Sequence, residues 1–247
     1  MQYKKKYQIF HEESNIEGRR MDKTNWSDPS LWPKEWIDIA EKTYPRFKKI
    51  PLISDEMEIT MNLNEVLHSR SSKRVNSNKS LNLKELSTIL RNAVSFKKNN
   101  TNEINIARRM YPSAGARFPL ECYLISLNVE GLENGLYHYE LREDSLAQIM
   151  DNAVEDHVKG IFGHDFSQSK AILVITSAME RNTIKYGERG YRFALIEAGH
   201  VMQNICLLCT SLNIPITPVG GFADMKLTRL LELDDTDEIP IYTCVFP

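Results

Sequence analysis

The chain has 247 residues, a formal net charge of −2, 42% hydrophobic residues and 26% charged residues. That length suffices for one large domain or two small ones, and the near-neutral balance gives no global basic field of the kind that attracts nucleic acid. No run reaches the roughly 18 apolar residues of a membrane span, and the basic start MQYKKKYQIF meets Glu12 and Glu13 before any apolar stretch, so the expectation is an unprocessed, cytoplasmic protein with no membrane or nucleic-acid partner.

Residues 1–55 are polar, with Trp26, Trp32, Trp36 and four prolines. They read as a short helix between extended arms, an extension that wraps over a core domain of residues 56–247. Asn62 with Glu65, and Asn82 with Glu85, stand at capping-box spacing and predict two helix starts. Leu83, Leu86, Ile89, Leu90 and Val94 continue the second at helical spacing. ECYLISLN and AILVITSA predict strands, the second buried on both faces; LYHYEL alternates and predicts a half-exposed strand. LAQIMDNAVEDHVKGIFG predicts a further helix.

The strongest helix signal runs from Tyr191 to Leu212. Tyr191, Leu195, Ala198, Met202, Ile205, Cys209 and Leu212 recur every three or four residues, and Ala194, Val201 and Leu208 widen the stripe. So wide a stripe implies burial in a core or against a second subunit. Pro215 ends it. IPITPVGGF predicts a strand closing on a Gly-Gly turn, LTRLLEL a short helix and IPIYTCVFP a last strand. The pattern is that of an α+β domain. Cys122, Cys206, Cys209 and Cys244 read as small buried hydrophobes, since the Cys206–Cys209 pair lies inside the apolar helix. Glu197 and His200 have E-x-x-H spacing, but no second E-x-x-H exists to complete a metal site, and no G-x-G-x-x-G follows a strand.

Four short stretches carry chemistry. Arg70, Ser72 and Arg74 form R-x-S-x-R, two guanidinium forks and a hydroxyl suited to a phosphate. Pro112, Ser113, Ala114 and Gly115 form a loop of small residues that lets backbone N–H groups approach a flat ligand. Gly220 and Gly221 end a strand and permit close backbone approach. Lys185 and Tyr186 pair two groups whose ordinary pKa values are about 10.4 and 10. Taken singly, each stretch also fits a plain loop.

In this order the four resemble the SagB-type dehydrogenases, flavoenzymes of nitroreductase-like fold that oxidise thiazolines and oxazolines in peptide natural products. FPLE, KYGERGYRFALIEAGHVMQN, FHEES and YPRFKKIPL extend the resemblance over most of the chain. It implies an α+β fold with an antiparallel-rich central sheet flanked by helices, an intertwined homodimer, FMN as cofactor, a modified peptide as substrate and a cyclodehydratase complex as a partner. It implies that Arg70, Ser72 and Arg74 hold the FMN phosphate. Pro112, Ser113, Ala114 and Gly115 would line the flavin ring across the dimer interface, with Gly220 and Gly221 beside flavin N5. Lys185 and Tyr186 match the catalytic Lys-Tyr pair. Tyr186 is expected to take the proton, with Lys185 lowering its pKa or sharing the role, and dioxygen to reoxidise the flavin. Because adjacent helical side chains diverge by about 100°, the pair is expected in a loop at the pocket rim rather than in a helix. Arg117 departs from the family pattern, facing solvent or an acidic peptide, and so does Asn76. The rival readings are an NAD(P)H-dependent nitro-, ene- or dehydroamino-acid reductase on the same scaffold, and a non-catalytic scaffold subunit with a degenerate flavin site.

Overall fold

The computed structural model describes residues 4–15, 31–37, 41–73, 79–97, 108–163, 166 and 168–247. Helices α1 (Lys6–Glu13) and α2 (Lys34–Ile37) and strand β1 (Lys49–Pro51) come first, followed by α3 (Leu63–Ser69) and α4 (Leu83–Ala93). Strands β2 (Leu120–Ser126), β3 (Gly135–Glu140) and β4 (Ser145–Met150) form a meander, and α5 (Val154–Val158) leads to β5 (Ala171–Ala178). Then come α6 (Glu180–Tyr186), α7 (Arg189–Ser211), β6 (Thr217–Val219), α8 (Asp224–Leu230) and β7 (Glu238–Phe246). The seven strands make one sheet in the order β1-β4-β3-β2-β5-β7-β6, and its pairings are antiparallel.

Both predicted capping boxes form. Asn62 accepts from the Glu65 N–H at 3.1 Å and Asn82 from the Glu85 N–H at 2.9 Å, with each glutamate reaching back to the cap. Each reciprocal pair satisfies two N–H groups that a helix start leaves without partners. Strand alternation then sorts the core into two layers. Cys122 and Leu124 of β2 pack with Leu86, Ile89 and Leu90 of α4 and with Ala198, Val201 and Ile205 of α7. On the other face, Tyr123 and Ile125 pack with Val154 and Val158 of α5 and Leu227 and Leu230 of α8.

That second face continues into a buried polar zone. Glu121, His138, Glu140, Thr176 and Glu238 are all buried there, and residues 41–49 cover part of it. Lys42 Nζ lies 2.7 Å from Glu238 and 2.6 Å from the Tyr123 hydroxyl, the Tyr44 N–H donates to Glu140 at 2.5 Å, and Lys49 pairs with Glu140. The cover corrects one expectation: β3, predicted half-exposed, is buried along its whole length. A second correction concerns LAQIMDNAVEDHVKGIFG. Its first part is strand β4, held by pairing to β3 and β1, and only Val154–Val158 is helical. The N-terminal extension also does more than wrap: β1 is the sheet's edge strand, and Leu52 lies in the core.

Helix α7 buries Ala194, Ala198, Val201, Met202, Ile205 and Cys209 of the predicted stripe, whereas Leu195 is exposed. By length and mean composition alone the helix could cross a membrane, although Arg192, Glu197, His200, Gln203 and Asn204 interrupt its apolar residues. Here it packs into the first core layer and contributes a buried carboxylate, Glu197. The four cysteines are free and buried, and burial raises each thiol's pKa.

Candidate active site

Lys185 and Tyr186 sit in the last turn of α6, so the expected rim loop is not what positions them. Gly187 caps that helix and turns the chain directly into α7. Gly190 is inside α7, where a Cβ would stand only 3.0 Å from the Asn182 backbone, so glycine is what allows α6 and α7 to touch. The Asn182 side chain, fully buried, donates to the Gly190 carbonyl at 3.3 Å and ties the hairpin. Phe193 meets the Tyr186 ring edge-on at 4.9 Å.

Although adjacent on a helix, the two side chains converge. Both ends meet at Gly115, the last residue of the predicted small-residue loop. A Cβ on Gly115 would overlap the Tyr186 hydroxyl and stand 2.9 Å from Lys185 Nζ. Gly115 has φ +57°, a left-handed conformation that glycine adopts without strain. Alanine there would cost about 1 kcal/mol in backbone strain and displace both polar groups. The expected outcome for Gly115→Ala is a loss of roughly 100-fold in turnover, the scale set by a displacement of about 1 Å at a reacting group. Assays beside urea unfolding check it: a variant as active as the wild type would show that the convergence does not matter.

The loop itself is pinned from inside. The Phe118 N–H donates to Ser113 Oγ at 2.8 Å, and the Ala114 N–H donates to Glu197 Oε1 at 3.1 Å. Glu197 is 2% exposed, and burial raises its pKa to about 7 against the opposing pull of Ser113, Ala114, Arg109 and Asn182. In the sequence this residue stands out only as half of an E-x-x-H motif. His200, the other half, is exposed on α7. The missed signal was a lone carboxylate within the apolar stripe between Ala194 and Val201.

Electrostatics redistribute the expected roles. Burial raises the Tyr186 phenol to about 12, with Arg117 lowering and Glu197 raising it in addition. Burial lowers the Lys185 ammonium to about 8, and the Arg117 charge lowers it further. Tyr186 therefore moves away from tyrosinate, the reverse of the expectation, and Lys185 is the group nearer to acting as a base at neutral pH. Arg117 neither faces solvent nor offers itself to an acidic peptide. It is 2% exposed and donates to the carbonyls of Arg181, at 2.6 Å, and Trp36.

The remaining predicted residues gather elsewhere. Arg70 ends α3 and is half-buried, and Ser72 is exposed. The Lys73 N–H donates to the Ile216 carbonyl at 2.9 Å, and Thr217 donates back to the Lys73 carbonyl, so this segment runs beside β6. Gly220 and Gly221 follow β6, both exposed and with nothing within 4 Å of where a Cβ would stand. Arg74 and Asn76 lie outside the described residues.

The Arg70 charge acts on Cys206, nine residues beyond Glu197 on α7. That spacing is about 13 Å and half a turn past whole turns, on opposite helix faces. A cavity of about 590 Å³ lined by Ser54, Arg91, Phe96 and Met110, among others, contains none of these residues.

The fold is of the α+β type, an antiparallel sheet flanked by helices, with two loop clusters set around α7. Residues 67–246 match the nitroreductase family, and the chain belongs to that family. A Methanocaldococcus jannaschii protein that carries the provisional name nitroreductase is 34% identical over 74% of this chain and 93% of its own length. The microcin B17-processing protein McbC of Escherichia coli is 29% identical over 56% of this chain, which spans only 54% of McbC. In the solved E. coli microcin synthetase McbBCD complex with truncated pro-MccB17, one chain superimposes with a TM-score of 0.60 at 25% identity, covering 80% of this chain and 75% of that one.

Proposed function

We propose that the protein is an FMN-dependent oxidase of the SagB type that converts azoline rings of a modified peptide to azoles. The observation that carries the reading is the meeting of Lys185 and Tyr186 at Gly115. It puts a depressed lysine and a phenol against the backbone of the loop that, by the resemblance, faces the flavin. The similarity to a microcin-processing protein supports a peptide substrate and a peptide-modifying assembly as partner.

The residues present fit FMN. Gly220 and Gly221 leave open space for a ring to approach backbone, the half-buried Arg70 and exposed Ser72 flank them through the β6 pairing, and the 112–115 loop has no bulky side chain beyond Pro112. With Glu197 and Cys206 on opposite faces of α7, the proposed site takes one cluster from each of two copies. Leu195 and Ile196, exposed on α7 at 42% and 55%, give an apolar face for such a homodimer.

Bound FMN would supply the acceptor for the hydride that leaves the ring. This chain's part is acid–base and positional. The neutral Lys185 amine takes the proton from the neighbouring ring carbon, and the Tyr186 hydroxyl, kept protonated, donates a hydrogen bond to a ring or amide acceptor. The test supplies a thiazoline peptide to the FMN-loaded protein in air. The expected product is lighter by about 2 Da per ring, the two hydrogens removed. Rapid consumption of NADPH with the ring unchanged would instead assign a reductase, and a protein that takes up no FMN would assign a scaffold.

A further inference from the structure

The N-terminal segment reaches the Lys185–Tyr186 pair itself. Lys185 Nζ lies 3.1 Å from the ring centroid of Trp32 and 4.8 Å from that of Trp36, and the two indoles meet edge to face at 6.3 Å. The Trp32 indole N–H makes no hydrogen bond among the described residues, so the ring is held through its faces and edges. Trp36 is fastened in turn: Arg117 bridges its carbonyl to that of Arg181 on α6. The bridge joins the segment, the small-residue loop and the helix that bears Lys185. An ammonium over an indole face is attracted by the ring quadrupole, most strongly where water is excluded, and Lys185 is 2% exposed.

We infer that Trp32 and Trp36 are positioning residues of the active site, holding the Lys185 ammonium between the indole faces and the Gly115 backbone. The inference rests on the Lys185–Tyr186 reading above. The segment that wraps the domain is then a wall of the site, and the base is built from two distant stretches of chain. The charged and titratable groups around Lys185 set the balance. Burial and Arg117 favour the neutral amine, the indole faces favour the ammonium, and Tyr186 stands beside it with Glu197 behind. A proton released from Lys185 on each cycle weakens its hold on Trp32, so the indole favours return of the charged form.

The experiment follows Lys185 directly, by the ¹³C shift of its Cε carbon in lysine-labelled protein, with the signal assigned through Lys185→Arg. Trp32→Leu keeps an apolar neighbour but removes the ring face, so the Lys185 pKa should fall by about one unit. Trp32→Phe keeps a ring face and should restore most of it. Trp36→Leu, from the more distant ring, should shift it less. Retained circular dichroism marks each variant as folded. If Trp32→Leu leaves the titration unmoved, or if Leu and Phe shift it equally, the inference is overturned. The readout is independent of turnover: a shifted titration in a protein that leaves thiazoline peptides intact would support the positioning role and defeat the oxidase reading.

Discussion

Lys185→Ala will lower azoline turnover by about 10²–10⁴-fold, the range for removing a positioned general base. It will also remove the pH limb that Lys185 creates in the wild type. Turnover by the wild type should rise as pH rises through about 8, because the amine is active only when neutral and burial has lowered its pKa to that value. Tyr186→Phe should cost less and leave the limb in place, since the phenol, held at about 12, stays protonated throughout. Rates between pH 6 and 10 for the three proteins decide the roles. If the phenylalanine variant loses the limb and the alanine variant keeps it, the base is Tyr186 and the assignment is reversed.

Glu121→Ala will destabilise the fold by about 3–5 kcal/mol, the cost of removing one partner from a buried ion cluster. Glu121 is 2% exposed, with Arg181 at 2.6 Å and His138 at 2.9 Å from its two oxygens. Those partners hold its carboxyl at about 2, below the usual 4.5, against the opposing effect of burial. A depressed carboxyl stabilises the fold above its unfolded pKa and ceases to do so as pH falls toward its folded pKa. The gap between wild type and variant should therefore be full at pH 7 and reduced by more than half at pH 3. Urea unfolding at both pH values measures it; an equal gap at both would place the loss in packing instead. The effect bears on the site as well, because Arg181 belongs to the helix that carries Lys185.

Local signals survived into the structure, and signals that depend on distant partners did not. The capping boxes at Asn62 and Asn82 and most of the stripe of α7 need only neighbours in sequence, and they form as expected, Leu195 excepted. β4 was misread because Leu146, Ala147 and Met150 are good helix formers, and pairing with β3 and β1 overrides that preference. β3 read as half-exposed because nothing local announces that Tyr44 and Lys49 cover Glu140. The site was legible in part. Lys185, Tyr186 and Gly115 do meet, and they do so from a helix rather than a loop, because the reach of a four-carbon lysine stem offsets the divergence of adjacent helical side chains. Trp32 was invisible as a site residue, since only the fold brings it to Lys185.

The edge strand β1 has a consequence for how the protein is made. Lys49 pairs with Ala147, and Trp32 with Lys185, so the arm leaves the ribosome before its docking surfaces, which follow 98 and 153 residues later. At about 5–20 residues per second the nascent arm waits from several seconds to half a minute for them. Closing loops of that length carries an entropy cost before any contact repays it. The aromatic wall over Lys185 is thus completed only after α6 has emerged, although Trp32 and Trp36 are synthesised 153 and 149 residues earlier.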